Sequence, residues 1–166
     1  NIQSMWTFLA ISAVVLALSR TKFEIRHTIE VNAPVEGVWA AVIDFKGYDR
    51  WNSQLSYLGG EVAPGGRLHL RLAVAGAMPY EFKPNVSQWR EQAVFGWIAR
   101  TAGIPRLFDG EHFFELTDLG SGRTLLVNRE EYRGVLSLLM QQLPMMKLAP
   151  QGFERMNHEL KAFVEQ

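Results

Sequence analysis

Alternation of apolar and polar positions dominates the chain. Residues 23–31 set Phe23, Ile25, His27, Ile29 and Val31 against Glu24, Arg26, Thr28 and Glu30, a period of two that predicts a half-buried strand. Residues 67–74 repeat the pattern, with Leu68, Leu70, Leu72 and Val74 inward and Arg67, His69 and Arg71 outward. Further strands are predicted over 55–58, over 80–88 with Pro84 marking an edge or bulge, and over 93–101 with Phe95, Trp97 and Ala99 on one face. Residues 107–117 and 124–132 read as a long hairpin closed by the turn formers Asp118-Leu119-Gly120-Ser121-Gly122.

Helical spacing appears in two other places. After Pro34, which suits a first helical turn, Val35, Val38, Trp39, Val42 and Ile43 recur on one stripe, and residues 44–51 form a second short helical piece or turn. Residues 134–164 read as helix, interrupted near Leu143-Pro144 and again at Ala149-Pro150, with Phe153, Met156, Asn157, Leu160 and Val164 in line beyond the second break. The order is strand, two helical pieces, six strands, long helix. That is an α+β arrangement: an antiparallel sheet with one wet face, its other face covered by the terminal helix. A sheet curled around a helix encloses a cavity, and these side chains would make the cavity apolar.

Residues 5–18, opening on Met5 and closing on Leu18, carry no charge. As a helix they would span about 21 Å, short of the roughly 30 Å hydrocarbon core of a bilayer. The stretch has the length of a signal-peptide apolar region, and Ala17-x-Ser19 is a passable cleavage site, but no Lys or Arg precedes it. Three readings stay open: a membrane anchor or signal-type segment, a helix docked on its own domain or on a neighbouring copy, and a truncated remnant. The expected division is a leader or anchor helix over residues 1–22 and a ligand-binding domain over 23–166. Location is cytoplasmic or membrane-associated through the leader, and homo-oligomer formation through it is a further option.

Size and charge narrow the function. A chain of 166 residues is one domain with room for one sizeable core. Formal net charge is zero and Lys and Arg form no run, so there is no electrostatic footprint for nucleic acid. The absence of cysteine excludes a disulfide framework, a thiol nucleophile and cysteine-ligated metal. Histidines at 27, 69, 112 and 158 are scattered rather than grouped, and no phosphate loop or G-x-S-x-G motif occurs; neither a metal nor another cofactor is expected.

Several segments together resemble the START/birch-pollen-allergen-like superfamily (SRPBCC; polyketide cyclase/dehydrase and lipid transport-like). They are Ile29-Glu30-Val31-Asn32-Ala33-Pro34-Val35-Glu36-Gly37-Val38-Trp39, Asp44-Phe45-Lys46-Gly47-Tyr48-Asp49-Arg50-Trp51-Asn52, Gly110-Glu111-His112, Glu130-Glu131-Tyr132-Arg133-Gly134 and Gly152-Phe153-Glu154-Arg155-Met156-Asn157. The resemblance covers residues 23–164 and leaves the leader outside. It implies a helix-grip fold: a seven-stranded antiparallel curved sheet around a long C-terminal helix, with a ligand tunnel between them.

Within that frame, His112 shares a strand face with Phe114 and Leu116, and Glu130 shares one with Leu126, Asn128 and Tyr132. If both faces are concave, His112 and Glu130 form an acid/base pair across the hairpin; a register slip of one residue would instead turn Glu130 to water and Arg129 and Glu131 inward. Trp51, Phe95, Trp97, Phe114 and Phe153 offer aromatic walls, and Met140, Met145, Met146 and Met156 an adaptable lining. The expected activity is binding or transport of a small hydrophobic molecule (lipid, fatty acid, isoprenoid or polyketide), with His112, Asn128 and Glu130 giving orientation. The alternatives are a polyketide cyclase/dehydrase-like enzyme using His112 and Glu130, and a module that tethers or self-associates through the leader.

Overall fold

The computed structural model describes residues 2–166. Helix α1 (Ile2–Leu18) is followed by strand β1 (Lys22–Val31), helix α2 (Val35–Ile43) and a 3-10 segment, Phe45–Arg50. Strands β2 (Leu55–Gly60), β3 (Leu68–Leu72), β4 (Tyr80–Phe82), β5 (Asn85–Arg90), β6 (Val94–Arg100), β7 (Asp109–Gly120) and β8 (Arg123–Arg133) come next. A single helical turn, α3 (Ser137–Met140), and the long helix α4 (Pro144–Val164) close the chain.

The architecture is the α+β helix grip. Five antiparallel strands run in the order β1-β8-β7-β6-β5, and three more in the order β2-β3-β4. The strand expected over 80–88 divides at Lys83-Pro84, so the described residues form eight strands in two sheets instead of seven in one. Pro84 has no N–H to give a ladder. Its carbonyl accepts from the Leu68 N–H at 2.9 Å and Val86 N–H reaches the Gly66 carbonyl at 2.8 Å, so the break also stitches the two sheets together. The β7–β8 hairpin turns on Ser121 and Gly122, both at positive φ (55° and 70°), the backbone that matches strand twist in a two-residue turn.

Helix α4 lies along β1 and buries Phe153, Met156, Asn157 and Leu160. Pro144 occupies its first turn, as expected there. The expected second interruption does not occur: α4 runs through Pro150. A proline two turns into a helix removes one internal bond, and packing of the stripe beyond it holds the axis.

The core fills one end of the grip. Val38, Trp39 and Val42 of α2 meet Phe45, Tyr48, Phe95, Phe114, Leu126 and Leu160. Phe45 stacks on Tyr48 with centroids 4.5 Å apart and tilts against Phe95 at 5.5 Å. The Tyr48 hydroxyl donates to the Val42 carbonyl at 2.6 Å, and burial holds its ionisation far above the usual tyrosine range.

Helix α1 buries no residue. It is apolar all round, with no single stripe that marks one face as a seat on the domain. Among the described residues no helix is long and apolar enough to cross a membrane.

Candidate functional site

A cavity of about 480 Å³ opens at the other end of the grip, between the concave face of the five-stranded sheet, the β3–β4 segment, α3 and the first half of α4. This lies within the range of small-molecule sites. Strand register places its polar centre. Trp97 on β6 is paired with His112 on β7, His112 with Glu130 on β8, and Glu130 with Ile25 on β1. Those four residues form one row across the sheet. Alternation puts the whole row on the concave side, while Arg129 and Glu131 turn outward; the register slip does not occur. Outside, Arg129 lies over the Phe113 ring at 4.0 Å and bonds Glu115 at 2.7 Å and Glu131 at 2.6 Å.

His112 is 5% exposed. Its ring lies flat on Trp97, centroids 4.3 Å apart and planes 4° apart, with Phe153 at 5.3 Å. Nδ1 stands 3.6 Å from Glu130 Oε2, an electrostatic contact slightly too long for a hydrogen bond. Nε2 is buried with no partner among the described residues. Glu130 keeps its place because Gly110 faces it: a Cβ at 110 would lie 2.7 Å from Glu130 Oε1.

Two phenols border the carboxylate. Tyr132 is sandwiched between Phe23 (4.8 Å) and Phe108 (5.5 Å), beside Glu130 on the same strand face. Burial first, then the charge of Glu130, hold its pKa well above 10.0. Tyr80, 43% exposed at the rim, is pushed up to about 12, by desolvation first and the Glu130 charge second. The Gln54 amide donates to the Gly152 carbonyl at 2.9 Å, tying the end of the 51–54 loop to α4. At the mouth Arg100 Nε lies 3.8 Å from Asp109 Oδ2.

Of the sequence-predicted residues, Trp97, His112, Glu130, Tyr132, Met140, Phe153 and Met156 line this cavity, together with Met145 and Met146. Four do not. Phe95 and Phe114 are fully buried in the filled end of the grip, and Trp51 packs on Tyr48 at 4.8 Å. Asn128 is fully buried, its amide nitrogen 3.5 Å from Met156 Sδ. Phe95, Phe114 and Asn128 share strand faces with cavity residues but sit further along their strands, and Trp51 follows directly on the 3-10 segment. Gln54, Tyr80, Ala99, Arg100, Phe108 and Gly110 line the cavity without having been singled out. For Tyr80 the signal was its alternation with Phe82; for Gly110 it was a glycine inside a strand opposite a large residue.

The histidines are less scattered than their numbering suggests. His27, Glu154 and His158 bring possible ligand atoms within 4.8 Å of one another on the outer side of the β1–α4 seam, Glu154 and His158 being exposed. The buried Asn157 amide stands 2.9 Å from His27 Nδ1 and donates to the His27 carbonyl at 3.1 Å. This group is distinct from the cavity.

Solved structures share the fold. A START superfamily protein from Mycobacterium smegmatis is 25% identical, with TM-score 0.65 over 86% of this chain and 97% of that one. The Zhui aromatase/cyclase from Streptomyces sp. R1128 is 15% identical, with TM-score 0.63 over 87% and 94%. Norcoclaurine synthase from Thalictrum flavum, solved with dopamine and hydroxybenzaldehyde, is 16% identical, with TM-score 0.62 over 89% and 88%. No curated protein matches in sequence. A sequence-family model does match, over residues 22–165, and with the grip and its cavity at hand the chain belongs to the family described as polyketide cyclase / dehydrase and lipid transport.

Proposed function

We propose that this protein binds a small hydrophobic molecule, of the lipid, fatty-acid, isoprenoid or polyketide kind, in the cavity between sheet and α4. The observation that carries the reading is a cavity of about 480 Å³ walled by aromatic, aliphatic and methionine side chains, with one imidazole–carboxylate pair at its centre. Apolar burial would supply the affinity, at about 25 cal/mol per Å² before ordering costs. Tyr132, Glu130 and His112 would orient a polar group on the ligand. Native mass spectrometry of gently purified protein tests this: a retained apolar molecule, released by mild activation, supports it, and failure to retain or saturably bind any such molecule counts against it.

A second reading is acid/base chemistry on an enolisable carbonyl compound. It is favoured by the 3.6 Å approach of His112 to Glu130 and by the unpartnered Nε2. Glu130 would hold the imidazole while Nε2 takes a proton from the carbon next to the carbonyl. Exchange of that carbon's hydrogen in heavy water, followed by NMR on an aryl ketone, tests the step. Exchange lost in His112→Phe supports catalysis; exchange no faster than in protein-free buffer rejects it.

A further inference from the structure

We infer that the cavity mouth is built to face a lipid bilayer, with α1 immersed in the hydrocarbon and the mouth at the headgroups. This rests on the ligand-binding reading above and adds where the ligand enters. The first observation is α1 itself. Ile2–Leu18 carries no charge and buries no residue, so its apolar surface lies open on every side. A helix seated on a protein groove needs only one apolar face; a second copy would still leave the far side wet. Hydrocarbon is the surrounding that satisfies all faces at once. Among the described residues no helix is long and apolar enough to cross a membrane, and the inference states immersion alone.

The second observation is position. Lys22 is paired with Arg133, Arg133 with Asp109, and Asp109 with Arg100, so the root of α1 and the ends of β6, β7 and β8 share one edge of the sheet. Arg100, Thr101, Phe108 and Gly110, which line the cavity, lie at that same edge. The root is pinned there: the Thr21 hydroxyl donates to the Gly134 carbonyl at 3.0 Å, and Gly134 N–H donates back to Thr21 at 3.2 Å. Gly134 has φ 128° and no room for a Cβ, which would lie 2.6 Å from the Arg106 carbonyl. Val135 and Leu136 then bond the 106–107 loop at 2.9 and 3.0 Å. The anchor root, that loop and α3 thus form one hydrogen-bonded platform beside the mouth.

The third observation is what the platform shows to solvent. Leu138 is 53% exposed, Leu139 65%, Ile104 53% and, across the mouth, Met78 88%. Arg20, Lys22 and Arg106 are exposed around them, and none of the three forms an ion pair among the described residues. Apolar tips ringed by unpaired cations complement an anionic headgroup layer.

The test uses the full chain, which has no cysteine of its own, so one introduced thiol reports one place. Leu139→Cys marks the mouth, and Glu36→Cys marks α2 beyond the far end of β1. Each is labelled with an environment-sensitive dye and floated with vesicles of phosphatidylcholine, with or without phosphatidylglycerol. Flotation is expected, stronger with phosphatidylglycerol, with a blue-shifted emission at 139 and none at 36. Leu9→Asp with Val14→Asp, both on exposed positions of α1, should abolish flotation with the circular dichroism spectrum kept. Arg20→Gln with Lys22→Gln should lower partitioning onto the anionic vesicles by roughly tenfold or more. The inference is overturned by flotation that survives the aspartates, by labels at 139 and 36 that respond alike, or by a chain that self-associates and never floats. None of these readouts requires a ligand, so any such failure leaves the cavity reading to stand or fall on its own test.

Discussion

His112 lies flat against Trp97, the two rings 4.3 Å apart and within 4° of parallel, while its Nδ1 faces the carboxylate of Glu130. The stack fixes the plane of the imidazole and the carboxylate fixes its rotation. The pair should therefore behave as a unit. Glu130→Gln keeps shape and removes charge, so its cost should be small. His112→Phe keeps an aromatic stack and leaves the carboxylate facing an apolar ring, costing about 1–3 kcal/mol. Denaturant unfolding of both single variants and the double should give a coupling of at least about 0.5 kcal/mol. Additive costs would mean that the two groups do not sense each other.

Gly110 gives Glu130 its room. In Gly110→Ala the new methyl meets Glu130 Oε1 at 2.7 Å and Tyr132 Cε1 at 3.4 Å. The flexible carboxylate should yield first, giving a loss of about 1 kcal/mol. In a Glu130→Ala background the same change should cost close to nothing. Thermal melts of the four proteins check this. An equal loss with and without the Glu130 side chain would place the crowding elsewhere.

Alkaline pH should unfold the protein in a tyrosine-dependent way. Tyr48, Tyr80 and Tyr132 all ionise above the ordinary value of 10.0 in the folded state, chiefly through burial. Above about pH 10 the unfolded chain releases these protons and the folded one keeps them. The stabilisation is thus whole below pH 10 and is lost as pH rises through the folded values. Urea midpoints between pH 8 and 11 should fall for the native sequence and fall less steeply for Tyr132→Phe. Parallel slopes would show that Tyr132 takes no part.

Which residues share a strand face was legible from alternation, but which face is concave, and whether Glu130 lies on it, stayed open until the strand register was seen. His112, Glu130, Tyr132 and Trp97 all line the concave cavity, the condition on which the acid/base pairing was read. Depth along a strand was not legible. Phe114 is two residues from His112 on the same face, yet it lies in the filled end where α2 covers the sheet. No local pattern says where a cavity stops and a core begins, because that boundary depends on which helix crosses above. The same limit hid the His27–His158 approach, which depends on how α4 docks on β1, with ring centroids 6.0 Å apart. Pro84 and Pro150 look alike in sequence as breakers. One ends a strand because the ladder needs its N–H; the other is carried by a helix whose packed stripe begins three residues later.

The claim on which the rest depends is that the hollow beside His112 takes up an apolar molecule. Titration of a neutral naphthylamine probe into the native protein and into Ala99→Trp tests it most directly, since Ala99 lines the cavity wall on β6. Saturable one-to-one binding with enhanced fluorescence, weakened at least about tenfold by the added indole while the melting temperature stays near native, is the expected result. Binding of equal strength in both proteins, or none in either, would contradict it.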